Sequence, residues 1–423
     1  MILPLGYGIV EDVDVQTFAT RVGTAAGIRS AITANRGGVV HLPPGVFALE
    51  SSVNLTALDN GLAIIGSGPA TRLVMAPGQT GPHRGFEISE ANGPIENIRI
   101  SNLLLDGNKA NQSSELTGFG IFAARSSDSI VTDATGLIVD HVWARNWNTS
   151  GLNIFMSNTQ LIGVFSEGNG SHGIGCREGK GILIQGAVCR NNGFYGLDAS
   201  QNCGVRVDGL ISTHNGYGVK TTDNCELWLN GAELAHNTHH GFTTTGTGNI
   251  VALDAVDAHH NGDTGIRFSN NTARAVVGSV ASHHNQGMGF DLNLDYFTAN
   301  SLSAYSNDSF GIYVVESTEV HCGAIESVDN GGEGVRVTDS SRFSARGGRV
   351  VGNATYGVLV AGTATCALDS VRFAAGSTQT TGILGGDTSR TRLTFCDFSG
   401  QTGTKIIRTG SGVVTEVDLI GAA

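Results

Sequence analysis

The sequence predicts an all-β fold, a single-stranded parallel β-helix in which each turn of the solenoid is one sequence repeat. An Asn recurs at steps of 22 to 24 residues, a Gly follows it within five residues, and an apolar residue follows the Gly. The chain has 61 Gly, only 7 Pro and 15% charged residues, which favours turn-rich β-structure. The recurring residues are Asn146, Asn169, Asn192, Asn215, Asn237, Asn261, Asn285, Asn307, Asn330 and Asn353.

The repeat is too short for two helices but suits one solenoid coil of short strands. A coil cannot bury its apolar face alone, so neighbouring coils stack and share a core. Stacked strands lie about 4.8 Å apart, which lets the recurring Asn side chains form a hydrogen-bonded ladder. We expect the Gly to allow a turn with positive φ. The apolar residue after it should point inward and the next residue outward.

Three segments follow from the pattern. Residues 1–37 form an N-terminal cap, with a helix over Val15–Asn35 whose apolar positions include Phe18, Val22 and Ile28. A helix there would cover the open end of the solenoid. Residues 38–374 form the β-helix, with regular coils from about 146. Residues 375–423 lack the Asn–Gly phrase and are expected to be a C-terminal cap or an oligomer contact.

Composition restricts the classes of partner. A net charge of −12 argues against nucleic acid and anionic membranes as partners. The sequence has no run of 18 apolar residues, so we expect no transmembrane helix. No ordinary signal peptide is visible, which leaves a cytoplasmic, phage-particle or non-classically secreted location open. Cys203 and Cys225 are one period apart and are expected to stack as buried thiols rather than form a disulfide.

Two stretches carry a family resemblance. The phrase AITANRGGVVHLPPGVF (residues 31–47) resembles the opening of the pectate-lyase-like right-handed β-helix superfamily. The phrase LLLDGNKANQ (residues 103–112), followed by coils of the type H-N-x-x-x-G-F, is similar to mannuronan epimerase catalytic modules, and such openings also occur in phage tailspikes. The resemblance covers most of residues 25–360. It implies a right-handed coil, a carbohydrate polymer as partner and, for a tailspike, a homotrimer.

One coil is close to the epimerase motif Y-G-F-D-P-H. The matching residues are Tyr195 and Asp198, whereas Ser200 stands at the His position. The next coil carries Lys220 and Thr222, so the further Asp of the motif is not matched. The chain therefore resembles the scaffold of these enzymes but departs from their catalytic set.

Outward positions before and after each Gly concentrate reactive side chains on consecutive coils. The catalytic candidates are Tyr195, Asp198, Lys220, His172 and His240, and the substrate-binding candidates are Arg177, Tyr217, Arg267 and Asn153. A second, sparser stripe consists of Arg267, Asp291, Tyr313 and Arg336. By strand spacing, the catalytic candidates fall within about 15 Å along the solenoid axis.

A lyase or epimerase acting on a uronic acid needs a cation that neutralises the carboxylate, a base and an acid. Arg177 or Lys220 would neutralise the carboxylate. Tyr195 would be the acid or base, its phenolate favoured by a neighbouring cation. Either candidate histidine would be its partner, and Asp198 would orient one of them. We expect no cofactor, with calcium as the alternative.

Other interpretations remain open. The first hypothesis is an enzyme that acts on an acidic polysaccharide by proton abstraction at a uronate, on a groove of the β-helix. The alternative is a solvated ladder of charges on a non-catalytic carbohydrate-binding or structural β-helix, such as a tailspike module. A glycoside hydrolase would need two carboxylates across a cleft, for which Asp198 and Asp223 are the candidates. The histidines before the ladder Asn are expected to be turn residues rather than ligands of zinc or nickel, so no metal site is predicted.

Overall fold

The structure is a computed structural model that describes residues 25–90, 92–113, 117–124, 134–376, 379–386, 388–411, 413–417 and 419. It divides into two compact units, with the division between Val188 and Cys189. Each unit is a parallel β-solenoid, and over the described residues the chain forms about 16 turns with one N-terminal helix. The predicted all-β parallel solenoid is thereby confirmed.

The first unit consists of short strands that pair in parallel with the coils before and after them. Its strands are β1 (Val39–His41), β2 (Gly45–Leu49), β3 (Val53–Leu55), β4 (Ala63–Ile65), β5 (Thr71–Met75), β6 (His83–Ser89), β7 (Arg99–Asp106), β8 (Gly118–Ala124), β9 (Ile138–Arg145), β10 (Ser150–Ile154), β11 (Gln160–Ile162), β12 (Phe165–Glu167) and β13 (Ile174–Arg177). Strands β8, β10 and β13 form one column, in the register Phe122, Asn153, Gly175. The division between the units falls within β14 (Ile182–Arg190).

The N-terminal helix α1 spans Ala25–Ala34. It buries Ile28 and Ile32, and Arg29 donates hydrogen bonds to the backbone oxygen of Asn54 (2.8 Å) and to Oδ2 of Asp59 (2.6 Å). The predicted N-terminal helix is therefore present, although the first part of the predicted range lies outside the described residues. No described helix has the length and apolar character needed to span a membrane.

The second unit repeats the same arrangement with longer strands. Its strands are β15 (Tyr195–Ser200), β16 (Gly204–Thr213), β17 (Tyr217–Thr222), β18 (Glu226–Ala235), β19 (Phe242–Thr245), β20 (Asn249–His259), β21 (Ile266–His283), β22 (Phe290–Leu294), β23 (Tyr296–Tyr305), β24 (Ile312–Val314), β25 (Glu319–Val328), β26 (Val335–Val337), β27 (Arg342–Ala345), β28 (Gly348–Val351), β29 (Tyr356–Val360), β30 (Thr365–Asp369), β31 (Val371–Ala374), β32 (Thr381–Gly385), β33 (Arg390–Thr394), β34 (Asp397–Gly400), β35 (Thr404–Arg408) and β36 (Val413–Val417). Strands β15, β17, β19 and the beginning of β21 pair successively and form one column.

The Asn ladder runs through the second unit as a chain of buried amides. Nδ2 of Asn237 donates to Oδ1 of Asn261, and Nδ2 of Asn261 donates to Oδ1 of Asn285, both at 2.9 Å. Each Oδ1 also accepts the backbone N–H of the preceding ladder residue, as at 3.1 Å from Asn237 to Asn261. These buried hydrogen bonds link each coil to the next, as the period of the Asn residues predicts.

The ladder changes composition towards both ends of the predicted range. In the first unit Trp147, not Asn146, occupies the ladder position: Trp147 is fully buried and its backbone N–H donates to Oδ1 of Asn169 at 3.0 Å. In the second unit Gln379 accepts from Asn353 (3.4 Å) and donates to Gln401 (3.0 Å). Because β32 and β35 pair in parallel with the coils before them, stacking continues beyond residue 375. The role of that segment as a cap or an oligomer contact stays a prediction.

The recurring Gly is required for a reason that differs from the predicted one. The positive φ lies on the residue before the ladder Asn, at 55° for His236 and 54° for His260. At Gly241 a Cβ would lie 2.7 Å from the backbone oxygen of Gly265 and 2.9 Å from Nδ2 of Asn261. The expectation of a positive-φ Gly is therefore wrong, and the absence of a side chain lets successive coils approach.

The core follows the predicted inward positions. The residues after the recurring Gly are fully buried, as shown by Leu197, Val219, Phe242 and Ile266. Full burial of such a side chain contributes about 1.5–3 kcal/mol.

Cys203 and Cys225 stack inside the second unit. Both are buried, and their Sγ atoms lie 2.9 Å apart, well beyond the covalent S–S bond length of about 2.05 Å. The expected stack of buried thiols is confirmed.

Candidate active site

Three candidate residues of the second unit, Asp198, Lys220 and Arg267, lie on the outer face of one strand column. The register pairs Asp198 with Lys220, Lys220 with Thr243, Thr243 with Arg267 and Arg267 with Asp291. Each follows the buried apolar residue after a recurring Gly, so alternation along the strand directs it away from the core. This column is called the outer column below.

Lys220 and Tyr195 form a direct polar pair. Nζ of Lys220 donates to Oη of Tyr195 at 3.2 Å and lies 4.9 Å from the centre of the Tyr195 ring. Both side chains are half-buried, so the contact is partly shielded from water. A hydrogen bond from an ammonium group is stronger than one between neutral groups.

Asp198 and Ser200 face each other on the same strand. Oγ of Ser200 donates to Oδ2 of Asp198 at 3.3 Å, and the two residues are 4% and 3% exposed, respectively. The residue at the His position of the resembled motif is thus a buried serine engaged with the neighbouring carboxylate. It offers no imidazole for proton transfer.

His240, Arg267 and Asp291 form a second polar chain. Nη1 of Arg267 donates to Nε2 of His240 at 3.1 Å, so Nε2 must carry the lone pair and Nδ1 the proton. Nε of Arg267 lies 3.4 Å from Oδ2 of Asp291. Asp263 lies on the other side of the ring, with Oδ2 3.7 Å from Nδ1 of His240. The imidazole is therefore held in one tautomer against the guanidinium.

Burial shifts the pKa values of His240 and Asp291, two residues that contact Arg267. Burial lowers the pKa of His240, Asp263 opposes the shift, and Arg267 and His239 add to it. Burial also raises the pKa of Asp291 to about 6; Arg267 opposes this shift and Asp263 adds to it. Near neutral pH the imidazole is consequently uncharged, and Asp291 titrates just below neutrality.

Tyr217 links the two polar groups. Its ring centre lies 5.3 Å from that of Tyr195, 5.7 Å from that of His240 and 4.7 Å from that of His239. The structure therefore brings Tyr195, Lys220 and Tyr217 together with the histidine–arginine pair on one face of the second unit.

The remaining candidates lie in the first unit and are described with that unit alone. Asn153 lies on β10 and is 8% exposed. Arg177 ends β13, and His172 precedes that strand; both are half-buried. The backbone oxygen of His172 accepts the N–H of Gly151 at 3.0 Å. Their proposed roles stay predictions.

Sequence reasoning assigned no role to three residues around this site. Asp291 falls in the predicted second stripe, where it is a partner of Arg267 rather than a separate ligand. Asp263 and His239 lie in turns, and turn residues carry no periodic signal that would place them near a strand column.

Comparison with known proteins supports the fold. A family model described as the right-handed β-helix region matches residues 234–373. This stretch is a right-handed β-helix. The match confirms the handedness that the resemblance implied.

Three solved structures illustrate the likeness. The A-module of mannuronan C-5 epimerase AlgE6 from Azotobacter vinelandii is 16% identical, with a TM-score of 0.52, over 96% of this chain and 98% of that one. The AlgE4 A-module of the same organism is 14% identical, with a TM-score of 0.49, over 95% and 96%. Bacteriophage CBA120 tailspike protein 2 (enzymatically active domain) is 13% identical, with a TM-score of 0.40, over 93% and 49%. A search of curated protein sequences gave no match. The likeness to the AlgE6 A-module, at 16% identity and a TM-score of 0.52, shows a shared fold and nothing about the reaction.

Proposed function

We propose that this protein acts on an acidic polysaccharide by removing the proton next to a uronate carboxylate, as a lyase or an epimerase, on the outer column of the second unit. The observation that carries the proposal is the Lys220–Tyr195 contact of 3.2 Å, which places an ammonium group on a phenol oxygen. The fold shared with a structure named as a mannuronan C-5 epimerase supports a polysaccharide substrate.

Each step of the proposed reaction can be assigned to a residue of the site. The Arg267 side chain is 44% exposed and would neutralise the uronate carboxylate, because a cation there stabilises the charge that develops when the neighbouring proton leaves. Tyr195, as phenolate stabilised by Lys220, would accept that proton. The resulting carbanion would then either expel the adjacent glycosidic oxygen, which takes a proton from the protonated Tyr195 or from water, as in a lyase, or take a proton from water on its opposite face, as in an epimerase.

His240 has a supporting role in this proposal. Its Nε2 lone pair is occupied by Arg267 at 3.1 Å, and the residue is only 6% exposed. A buried imidazole in that state is better suited to position the guanidinium than to contact substrate. We therefore assign His240 as a positioning residue and Tyr195 as the proton acceptor.

A non-catalytic carbohydrate-binding β-helix is the second candidate. Ser200, at the His position of the resembled motif, is buried and bonded to Asp198, which favours binding without turnover. A glycoside hydrolase is favoured least, because Asp198 is buried whereas Asp223 is exposed in a turn. Neither calcium nor a trimer is required by the proposal; activity after chelation and light scattering in solution test these two expectations.

The decisive experiment follows solvent deuterium into the polymer. Wild type, Tyr195→Phe and Tyr356→Phe would be incubated in D₂O with alginate, pectate, hyaluronan and a bacterial capsule. Proton NMR then reports exchange next to the carboxylate and the uronate ratio, and ultraviolet absorbance reports unsaturated ends. Tyr356 is the matched control because it precedes the recurring Gly of a distant coil, as Tyr195 does in its own.

We expect deuterium exchange (epimerase) or unsaturated ends (lyase) in wild type and Tyr356→Phe, and the loss of both signals in Tyr195→Phe. Equal loss in both variants would remove Tyr195 from the site. Binding of a polymer by wild type, with neither exchange nor unsaturated ends on any substrate, would favour the non-catalytic alternative.

A further inference from the structure

Two columns of aromatic rings run along the second unit, apart from the outer column. The first consists of His214, His236, His260 and His284, and the second of His259, His283 and Tyr305. Successive ring centres in the first column are 5.0–5.1 Å apart. These seven residues are called the histidine columns.

The two columns contact each other through ring nitrogens. Nδ1 of His259 lies 2.9 Å from Nδ1 of His260, and Nδ1 of His283 lies 2.8 Å from Nδ1 of His284. Ring stacking along each column does not require these nitrogens to converge. Two nitrogens this close either share one proton or direct lone pairs at a common cation.

A third ring nitrogen lies close to one of these pairs. His236, His259 and His260 each offer one ring nitrogen, and these atoms all lie within 4.8 Å of one another. His236 and His260 are exposed and His259 is half-buried, so the cluster is open to solvent. Three imidazole nitrogens form the donor set of zinc and of the neighbouring divalent metals. Zn–N bonds of about 2.0–2.1 Å impose a spacing of about 3.4 Å between ligand nitrogens, so binding of the ion requires the three nitrogens to approach one another from within their present 4.8 Å.

A carboxylate behind the cluster favours the tautomer that a metal needs. Oε1 of Glu233 lies 3.7 Å from Nε2 of His259, which draws the ring proton to that nitrogen and leaves the lone pair of Nδ1 on the side of His260. Carboxylates on the far nitrogen of ligating histidines act in this way at many metal sites.

The backbone holds the cluster in place. His236 and His260 each have positive φ and precede Asn237 and Asn261, whose amides are bonded to each other at 2.9 Å. The two ligand-bearing turns are therefore fixed by buried hydrogen bonds on the inner side of the coil. Rigid support of this kind reduces the cost of assembling a metal site.

We propose that His236, His259 and His260 bind one zinc ion at the surface of the second unit, with Glu233 orienting the ring of His259. Three protein ligands leave a fourth position of the tetrahedral ion for water or another ligand. The proposal is independent of the polysaccharide reaction, because none of these residues lies in the outer column.

The test uses the untagged full chain after chelation and dialysis, titrated with Co²⁺, whose visible spectrum reports nitrogen coordination, and then with Zn²⁺ in competition. His260→Asn removes a ligand while keeping a residue that occurs at the same turn position: Asn191 has φ 55°. His259→Ala introduces the residue that pairs with it on the previous coil, Ala235. His214→Asn is the matched control, because it makes the same change in the same column outside the cluster.

We expect wild type and His214→Asn to bind one Co²⁺ that an equivalent of Zn²⁺ displaces. His260→Asn and His259→Ala should bind on the order of a hundredfold more weakly, since loss even of an outer-shell partner costs about 10–100-fold. Zn²⁺ should raise the melting temperature of wild type but not of His260→Asn, because a ligand of the native state stabilises it. Absence of Co²⁺ binding in wild type, equal loss in His214→Asn, or unchanged binding in His260→Asn would each overturn the proposal.

Discussion

Arg267 and His240 are joined by a hydrogen bond of 3.1 Å from Nη1 to Nε2. The contact crosses 27 positions of sequence, from the turn before β19 to the start of β21. It occupies the basic nitrogen of a buried ring, so the imidazole directs the guanidinium rather than offering itself as a base.

This relationship predicts different outcomes for two changes at His240. His240→Gln keeps an acceptor for Arg267 and should retain most of the activity. His240→Leu removes this hydrogen-bond acceptor and should lower kcat/KM by about tenfold or more, since a hydrogen bond to a charged group contributes about 1.5–3 kcal/mol. Steady-state kinetics on the responsive polymer would measure both, with the loss in His240→Leu mainly in KM. Equal inactivation of both variants, in kcat, would instead indicate that His240 transfers a proton.

Lys220 supplies the second prediction. Lys220→Met removes the ammonium group from Oη of Tyr195 and should lower kcat by about 10²–10³-fold, the usual cost of losing one donor to a developing charge. Lys220→Arg retains a cation and should recover part of that loss. The exposed Lys180 serves as control, and Lys180→Met should behave as wild type. Full activity in Lys220→Met would remove the ammonium–phenol pair from the mechanism.

Asp291 leads to a prediction about pH and stability. Its pKa is raised to about 6 in the folded chain, chiefly by burial, whereas an unperturbed Asp has a pKa of about 3.9. The folded state thus holds this proton more tightly, so its contribution to stability is complete below about pH 4 and is lost as the pH rises to about 6. Asp291→Asn abolishes the effect and should become more stable than wild type as the pH increases, by at most roughly 3 kcal/mol.

Melting temperatures of wild type and Asp291→Asn between pH 4 and 7 would measure this difference. The difference should grow through the window and level off above about pH 6.5. A constant difference would mean that Asp291 does not titrate there, and a difference of opposite sign would mean that its ion pair with Arg267 outweighs its burial.

The parts of this molecule that repeat were predictable, whereas contacts between irregular positions were not. The period of the Asn residues predicts the buried ladder, and the apolar residue after each Gly predicts core positions such as Phe242. Neighbouring coils also place Tyr195 and Lys220 on the same face. Their contact, and the turn of Arg267 towards His240, depend on side-chain rotamers that spacing along the sequence does not determine.

Two errors of detail have a common physical origin. Asn146 fits the period but adopts φ 55°, while Trp147 fills the ladder position, since burial of a large apolar ring can replace an amide there. The recurring Gly was expected to provide a positive φ, yet it permits contact between coils. The period of a repeat identifies which positions are structurally equivalent, but it does not identify the interaction that selects a residue type at each position.

The ladder itself can be tested at Asn261. Its Oδ1 accepts from the side chain and backbone of Asn237 (2.9 and 3.1 Å), and its Nδ2 donates to Asn285 and to the backbone oxygen of Leu234 (both 2.9 Å). Asn261→Ala would leave several of these buried groups unsatisfied, each costing about 1–3 kcal/mol, and should lower the free energy of unfolding by about 3–5 kcal/mol. Asn230→Ala changes an exposed Asn with one bond of 3.4 Å and should cost less than about 0.5 kcal/mol. Urea unfolding would compare the two; equal costs would contradict a structural role for the ladder.

Substitutions at two glycines distinguish the two reasons for which a solenoid needs glycine, which are close approach of neighbouring coils and a positive φ. Gly241→Ala places a methyl group 2.7 Å from the backbone oxygen of Gly265 and should cost about 1–3 kcal/mol through overpacking between coils. Gly186→Ala meets no atom within 4 Å but has φ 61°, so its cost of about 1–2 kcal/mol should arise from the left-handed backbone alone.

Asn tolerates the left-handed region, so Gly186→Asn should recover stability relative to Gly186→Ala, whereas Gly241→Asn should be at least as unstable as Gly241→Ala. Recovery by Asn at position 241 would show that the recurring Gly serves conformation after all, because a larger side chain can relieve backbone strain but cannot relieve a collision with the next coil.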